Sequence, residues 1–506
     1  MNNLQVFKHE LIPILRSFSE TELQKFADFL SSPYFSFRKN LKLLYYTLFQ
    51  FHPLYTHIEL TKEYLYQKLF PGKKYKYSSI RDLMSKLHKA ARMFLAYNRF
   101  SEDNYFSILM LKELRERNLT VQIKKELKKA INKVEYSDGI DPEYFMLKFR
   151  LETEKINFNV STDKHITRKK IIKHSKQIKE NSILLIINYI SEIVTNYIYL
   201  IIESDRFISA KTDKTIQNIA KGIIDDNMFG QITAKSKFDF VIKIYRLLLK
   251  AFLNRGSWDE YTEYSTTFNK YLRRFGRDEA SFHYSRMISC CILGSKYGNS
   301  RVKFDEELLK LYNEFLNGSY YINKKTRYIP ANLYRAIILH GIKMNSLGWL
   351  YKVISEADSK LHPDDRENMQ NYARAYYSFA TGNYDEAFKY INLLDINYYI
   401  FKYDLYILKL RIYYDRGNYD SLLDQIRNFK QFIRNDKMLP KHTKCFHNNF
   451  VYYFERIVKL SLNSPRIDAD SLKLKLKKVN DIYHKEWIMN KLDILSKPVQ
   501  SYRKTS

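Results

Sequence analysis

Apolar residues recur every three or four positions along almost the whole chain, the spacing that places them on one face of a helix. Ile80, Leu83, Met84, Leu87, Ala91, Phe94 and Leu95 fall inward in a helix predicted from Ser78 to Tyr97, with Arg81, Lys86, Lys89 and Arg92 outward. Tyr372, Ala375, Tyr376 and Phe379 repeat the pattern before Gly382, and Ala387, Tyr390, Ile391 and Leu394 repeat it after. Toward the start, Leu4 to Leu15 is periodic, and Ser19-Glu20-Thr21-Glu22 can cap a helix reaching Leu30. Ser32-Pro33-Tyr34-Phe35 breaks that helix, and further periodic stretches run from Leu41 to Phe51, Thr61 to Phe70 and Ser101 to Lys133. Thirteen Gly and ten Pro in 506 residues are too few for the many turns of a β-rich fold. The expected class is all-α.

A short cassette punctuates this pattern. It reads Arg255-Gly256-Ser257-Trp258-Asp259-Glu260, then Gly382-Asn383-Tyr384-Asp385-Glu386-Ala387, then Arg416-Gly417-Asn418-Tyr419-Asp420-Ser421, with a looser copy at Leu347-Gly348-Trp349-Leu350. Gly348 precedes Gly382 by 34 positions and Gly382 precedes Gly417 by 35, the length of one helix-turn-helix unit. Glycine removes the steric cost of a left-handed residue between two antiparallel helices. Asn383 can then cap the next helix, with Glu386 completing a capping box, and Trp258, Tyr384 and Tyr419 begin second helices with a large apolar body. Each of Gly256, Gly348, Gly382 and Gly417 is therefore expected between two helices.

The cassette resembles the turn of tetratricopeptide repeats, which commonly reads Gly-Asp-Tyr-Asp-Glu-Ala; Gly382 to Ala387 departs from it by one residue. The resemblance spans about residues 240 to 430. The family's small residue in the first helix is matched by Ala375 and Gly341, whereas Leu410 and Leu249 depart from it. It implies a helical-repeat array (an α-solenoid) whose concave face binds a protein or peptide, with Tyr376, Tyr377 and Tyr413 as groove-facing anchors. The expected organisation is an N-terminal helical unit over 1–100, a middle helical region over 101–239, repeats over 240–462, and C-terminal helices with a basic tail over 463–506.

Charge adds a second candidate class. The net charge is +30 and the pI near 9.6, which favours anionic partners. Cations are interleaved with acids along most helices, as in Lys124, Lys125, Glu126, Lys128 and Lys129. The densest run is Lys164, Arg168, Lys169, Lys170, Lys173, Lys176 and Lys179, with His165 and His174 among them. Lys169, Lys173 and Lys176 share one helical side, a candidate anion face whose ordinary meaning is a solvated surface. Thr61 to Pro71, followed by the basic helix from Ser78, resembles the helix-turn-helix part of bacterial activators that also carry tetratricopeptide repeats. That resemblance implies DNA contacts from Arg81, Lys86, Lys89 and Arg92. The family pattern continues into a β-wing, whereas the sequence after Ser101 reads helical.

Other chemistry is sparse. Cys290, Cys291 and Cys445 cannot build a disulfide framework, which suits a reducing, cytoplasmic setting. Residues Met1 to Gln5 show no secretory leader pattern. Ser182 to Ile202 is strongly apolar but is interrupted by Asn188, Ser191, Glu192, Thr195 and Asn196, as expected of an amphipathic core helix rather than a membrane span. The phosphate-loop, dinucleotide, zinc-protease and serine-hydrolase motifs are missing, so no cofactor and no enzymatic activity are expected. His442, Cys445 and His447 lack further ligands for a metal nearby, and His362-Pro363-Asp364-Asp365 reads as a helix-initiating turn. The expected function is a non-enzymatic interaction scaffold. The alternative is a DNA-binding regulator whose repeats sense a partner.

Overall fold

The computed structural model describes residues 8–35, 37, 39–102, 104–135, 139–162, 167–206, 214–225, 236–254, 256–323, 326–395, 399–462 and 468–496. Among them the chain is all-helical, with 79% of the chain in helix and no strands. The only extended pairings among these residues are the isolated parallel bridges Ile140 with Phe275 and Ile329 with Leu361. The chain forms two compact units, one of residues 1–135 with 150–165, the other of 136–149 with 166–506. The expected middle region over 101–239 is thus divided between them.

The first unit holds α1 (Leu11–Ser17), α2 (Glu20–Ser31), α3 (Lys39–Phe49), α4 (Lys62–Leu69), α5 (Tyr77–Glu102), α6 (Asn104–Glu116) and α7 (Thr120–Glu135); α8 (Pro142–Thr162) is split between the units. The capping box read at Ser19 and Glu22 is present at the start of α2. The core is aromatic. Phe94 lies 5.4 Å from Phe18, 5.2 Å from Phe26 and 5.5 Å from Phe29, ring centre to ring centre, spacings that favour tilted and edge-on pairs.

The second unit runs through α9 (Arg168–Arg206), α10 (Lys214–Asp225), α11 (Asp239–Leu253), α12 (Trp258–Tyr271), α13 (Arg277–Tyr297) and α14 (Arg301–Asn317). It continues through α15 (Ala331–Lys343), α16 (Leu347–Ser355), α17 (Pro363–Ala380), α18 (Tyr384–Asn392), α19 (Tyr399–Asp415) and α20 (Tyr419–Asn435), and ends with α21 (Lys441–Ser461), α22 (Ala469–Lys477) and α23 (Lys485–Leu495). One core extends from Phe145 to Ile412 and a second from Tyr403 to Leu492. In α9, Ile183, Leu184, Ile187, Ile190, Val194, Ile198 and Ile201 are buried, while Ser182, Glu192 and Asn196 are exposed. The helix is long and apolar enough to cross a membrane by length and composition, and its one-sided burial is that of an amphipathic helix. Ser191, read among the polar interruptions, is buried and donates to the Asn188 carbonyl at 2.9 Å.

Three hairpins close with the same backbone geometry. The Asn383 N-H donates to the Ser378 carbonyl at 2.8 Å and Gly382 to Phe379 at 3.1 Å; Asn418 donates to Tyr413 and Gly417 to Tyr414, both at 3.0 Å. Ser346 donates to Gly341 at 2.9 Å and Asn345 to Ile342 at 3.0 Å. These are paired Schellman bonds around one left-handed residue, with φ of 82° at Gly382, 70° at Gly417 and 51° at Asn345. Gly348 is therefore not a turn residue. It is the second residue of α16, and Asn345 holds the left-handed position; asparagine tolerates that region through its short polar side chain. The Gly348 spacing matched a repeat length, but the true interval from Asn345 to Gly382 is 37 positions.

The side chain five positions after the left-handed residue of these three hairpins is buried: Leu350, Ala387 and Leu422, and likewise Tyr261 after Gly256 and Ile123 after Asn118. Asn118 closes α6 onto α7 with the same two bonds, to Leu114 from Leu119 and to Arg115 from Asn118. The capping box expected at Asn383 does not form. Its side chain makes no cap bond, and Glu386 instead accepts from Ser378 Oγ at 3.2 Å.

Gly256 has φ of 87° but closes differently: Ser257 donates to Asn254 at 3.0 Å, and a Cβ on Gly256 would stand 2.4 Å from the Gly298 Cα. Here the missing side chain serves a close backbone approach as well as the turn. Arg255 lies outside the described residues.

Candidate functional site

The aromatic residues expected to face a groove hold the hairpins together. Tyr376 is buried and its hydroxyl donates to the Asp404 carbonyl at 3.0 Å. Tyr377 is half-buried with its ring centre 5.8 Å from Tyr351, and Tyr413 lies 5.1 Å from Phe388. In each pair the second helix of one hairpin supplies one ring and the first helix of the next supplies the other. Arg416 Nη2 adds an ion pair across the same junction, 2.5 Å from Asp385 Oδ1.

The two basic faces are solvent-facing. Lys169 and Lys173 are exposed, as is Lys176, whose Nζ is 4.0 Å from Glu180; Lys164 and His165 lie outside the described residues. In α5, Arg81, Lys89 and Arg92 are exposed, whereas Lys86 is half-buried and paired with Asp82 at 2.6 Å. Where the β-wing of a helix-turn-helix activator would begin, α5 runs on to Glu102 and α6 follows. His362 caps α17 through Nδ1, with Pro363 at its first position, as the turn reading anticipated. Among the described residues no group of three His, Cys, Asp or Glu side chains converges on a metal position.

A different cluster, assembled from five helices of the second unit, concentrates charge inside the fold. At its base Arg335 of α15 grips Asp404 of α19 through Nε and Nη2, the latter 2.6 Å from Oδ1, and the Tyr372 hydroxyl donates to Asp404 Oδ2 at 2.8 Å. Burial opposes the Arg335 charge, but Asp404 outweighs it and holds the guanidinium more firmly protonated than usual. Two helical turns beyond Asp404, Arg411 lies 4.7 Å from the Phe379 ring centre and 5.2 Å from that of Trp487. Its Nε has no hydrogen-bond partner, and burial lowers its pKa to about 10.

His447 of α21 stacks on Tyr403 at 4.4 Å, and its Nδ1 has no hydrogen-bond partner. Burial, helped by Arg335 and Lys296, brings its pKa to about 3. His484, just before α23, occupies the left-handed region with φ of 52°, a conformation uncommon for any residue but glycine. Burial, then Arg411, His447 and Lys343, takes its pKa to about 3 as well. His484 is exposed, and its ring centre lies 5.7 Å from that of Phe450. Lys296 of α13 approaches from another side, its Nζ 5.3 Å from the Phe446 ring centre, and Lys343 Nζ is 2.5 Å from Asp305 Oδ2.

The cluster therefore combines an ion-paired base, Arg335 with Asp404, with Arg411 and His447 held against aromatic rings. Sequence reading missed it because Arg335, Asp404 and His447 are far apart in the chain and meet only in the fold. His447 drew notice only beside His442 and Cys445, and that grouping is not the one the fold makes. No protein-family model, no curated protein and no solved structure matches this chain.

Proposed function

We propose that the protein is a non-enzymatic interaction scaffold, a tetratricopeptide-like helical-repeat array of the cytoplasm that holds a protein or peptide partner along its helix faces. The observation carrying this reading is the recurrent hairpin closure at Asn345, Gly382 and Gly417, each followed five positions later by a buried residue. Hairpins joined in one register lay successive helix faces side by side, which makes an extended surface suited to a partner segment. Tyr351, 61% exposed beside Tyr377, is the aromatic anchor that surface offers.

The test is quantitative affinity capture from the native cell by the full chain and by its Tyr351→Ser variant. The scaffold reading expects specific proteins to be retained by the former and depleted with the latter while the variant keeps the native circular dichroism spectrum and loses only the small stability of one ring pair. Sequence-specific, salt-resistant DNA binding abolished by joint Arg81→Ala, Lys89→Ala and Arg92→Ala changes would replace it with the regulator reading.

A further inference from the structure

We infer that the outward face of α9 is the pairing surface for a second copy of this chain, the two helices lying antiparallel along a seven-residue seam. This inference concerns the helix ahead of the hairpins and stands independently of the scaffold reading.

The side of α9 turned away from the core is not polar. Ile171, Ile178, Leu185 and Tyr199 are set seven or fourteen positions apart, and Tyr189 lies four after Leu185. All five are between 43% and 58% exposed. Ser175, Ser182 and Asn196, each seven or fourteen positions from Tyr189, fill the alternate places and are exposed as well. Such alternating intervals, kept from Ile171 to Tyr199, trace one row about 42 Å long, the seam through which two α-helices supercoil. On the opposite side Ile183, Ile187, Val194 and Ile198 are buried in the core. A helix apolar on two opposite sides is built to be covered on both. Single exposed apolar residues are ordinary, whereas an aligned row marks a contact surface.

The polar members of the row choose the occupant. Glu192 takes the seam position between Leu185 and Tyr199 and is exposed. A carboxylate and an asparagine are costly against hydrocarbon, whereas a helical seam accepts isolated polar residues, which fix its register and orientation.

Charge then chooses the direction. Arg168, seven positions before Ser175, opens the row, and Glu203, seven after Asn196, closes it. Arg168, Lys169, Lys170, Lys173, Lys176 and Lys179 crowd the first third of α9, and no further Lys or Arg occurs before Arg206. A parallel copy would set those cations side by side. An antiparallel copy sets each basic end against the end that carries Glu192 and Glu203, and a pair centred near Leu185 brings Lys179 within about one helical turn of Glu192 of the second copy. One face then serves both chains, as a two-fold dimer requires.

The experiment is sedimentation velocity of the full chain over a concentration series, repeated on Leu185→Lys and Ile178→Lys. Both positions are exposed, and either variant decides the matter should the other fail to give the native circular dichroism spectrum. A monomer-dimer equilibrium is expected, its dissociation constant raised about tenfold or more in each folded variant, because every substitution is met twice across the two-fold axis. Cys290 and Cys291 are buried and Cys445 is exposed, so a short bismaleimide reads the orientation in the Cys445→Ser background: Leu185→Cys should join two chains and Ile171→Cys should not. A monomer at every concentration, a dimer unaffected by the folded variants, or efficient joining through Ile171→Cys would each overturn the inference. So would a monomer that floats with phosphatidylserine vesicles and ceases to do so with Leu185→Lys, which would give the face to a membrane.

Discussion

The hairpin junctions and the charged cluster around Asp404 and Arg411 lie in the same unit and are built on opposite principles. A junction is local: one left-handed residue, two backbone hydrogen bonds and a buried side chain five positions later, all within a dozen residues. The cluster is non-local: Arg335 and Asp404, 69 positions apart in the chain, pair at its base, and Arg411 packs against Trp487, 76 positions on. The junctions at Asn345, Gly382 and Gly417 each close with two backbone hydrogen bonds, whereas in the cluster Arg411 Nε and His447 Nδ1 have no hydrogen-bond partner. Stability is built into the first, and an energetic cost is held in the second.

Substitutions can break or sharpen that contrast. The largest loss is expected at the base of the cluster. Asp404→Ala leaves the half-buried Arg335 without its carboxylate and Tyr372 without its acceptor, and should cost about 3 to 5 kcal/mol; a denaturant midpoint close to wild type would show that the pair is not structural. Next comes Gly256→Ala, which combines a left-handed backbone with a 2.4 Å approach to Gly298 and should cost roughly 3 kcal/mol. A loss no greater than that of Gly382→Ala would mean that the two glycine turns are equivalent after all.

A Cβ at Gly382 meets no atom within 4 Å, so backbone strain is the main opposition to Gly382→Val, and about 1 to 3 kcal/mol should be lost. Gly348→Ala is the smallest effect and has the opposite sign. The position is helical and open, so alanine should add roughly 0.5 to 1 kcal/mol. Loss of stability there in thermal melting would return Gly348 to the turn and undo the register built on Asn345.

The division between legible and illegible follows the same line. Helices were readable because burial on one face imposes a local period, as in α5 with Ile80, Leu83 and Leu87 inward. Gly382 and Gly417 were readable because a left-handed joint selects a residue type. Asn345 was not, because Gly348 three positions later offered a stronger signal at nearly the right spacing. Tyr376, Tyr377 and Tyr413 are expected from the sequence to face a groove, but period alone cannot tell a groove from a seam between hairpins, and each contacts a neighbouring hairpin. The cluster left no local trace beyond Asp404 and Arg411 lying two turns apart on one helix.

The most direct test of the central claim, that Arg411 is held among aromatic rings at a cost in stability whereas the junctions only add to it, is the melting temperature of Arg411→Met. Methionine fills similar space against Phe379 and Trp487 and removes a charge that burial disfavours. The account predicts a melting temperature equal to or above that of the wild type. A clear decrease would mean that Arg411 holds the fold together and would contradict the contrast with the junctions.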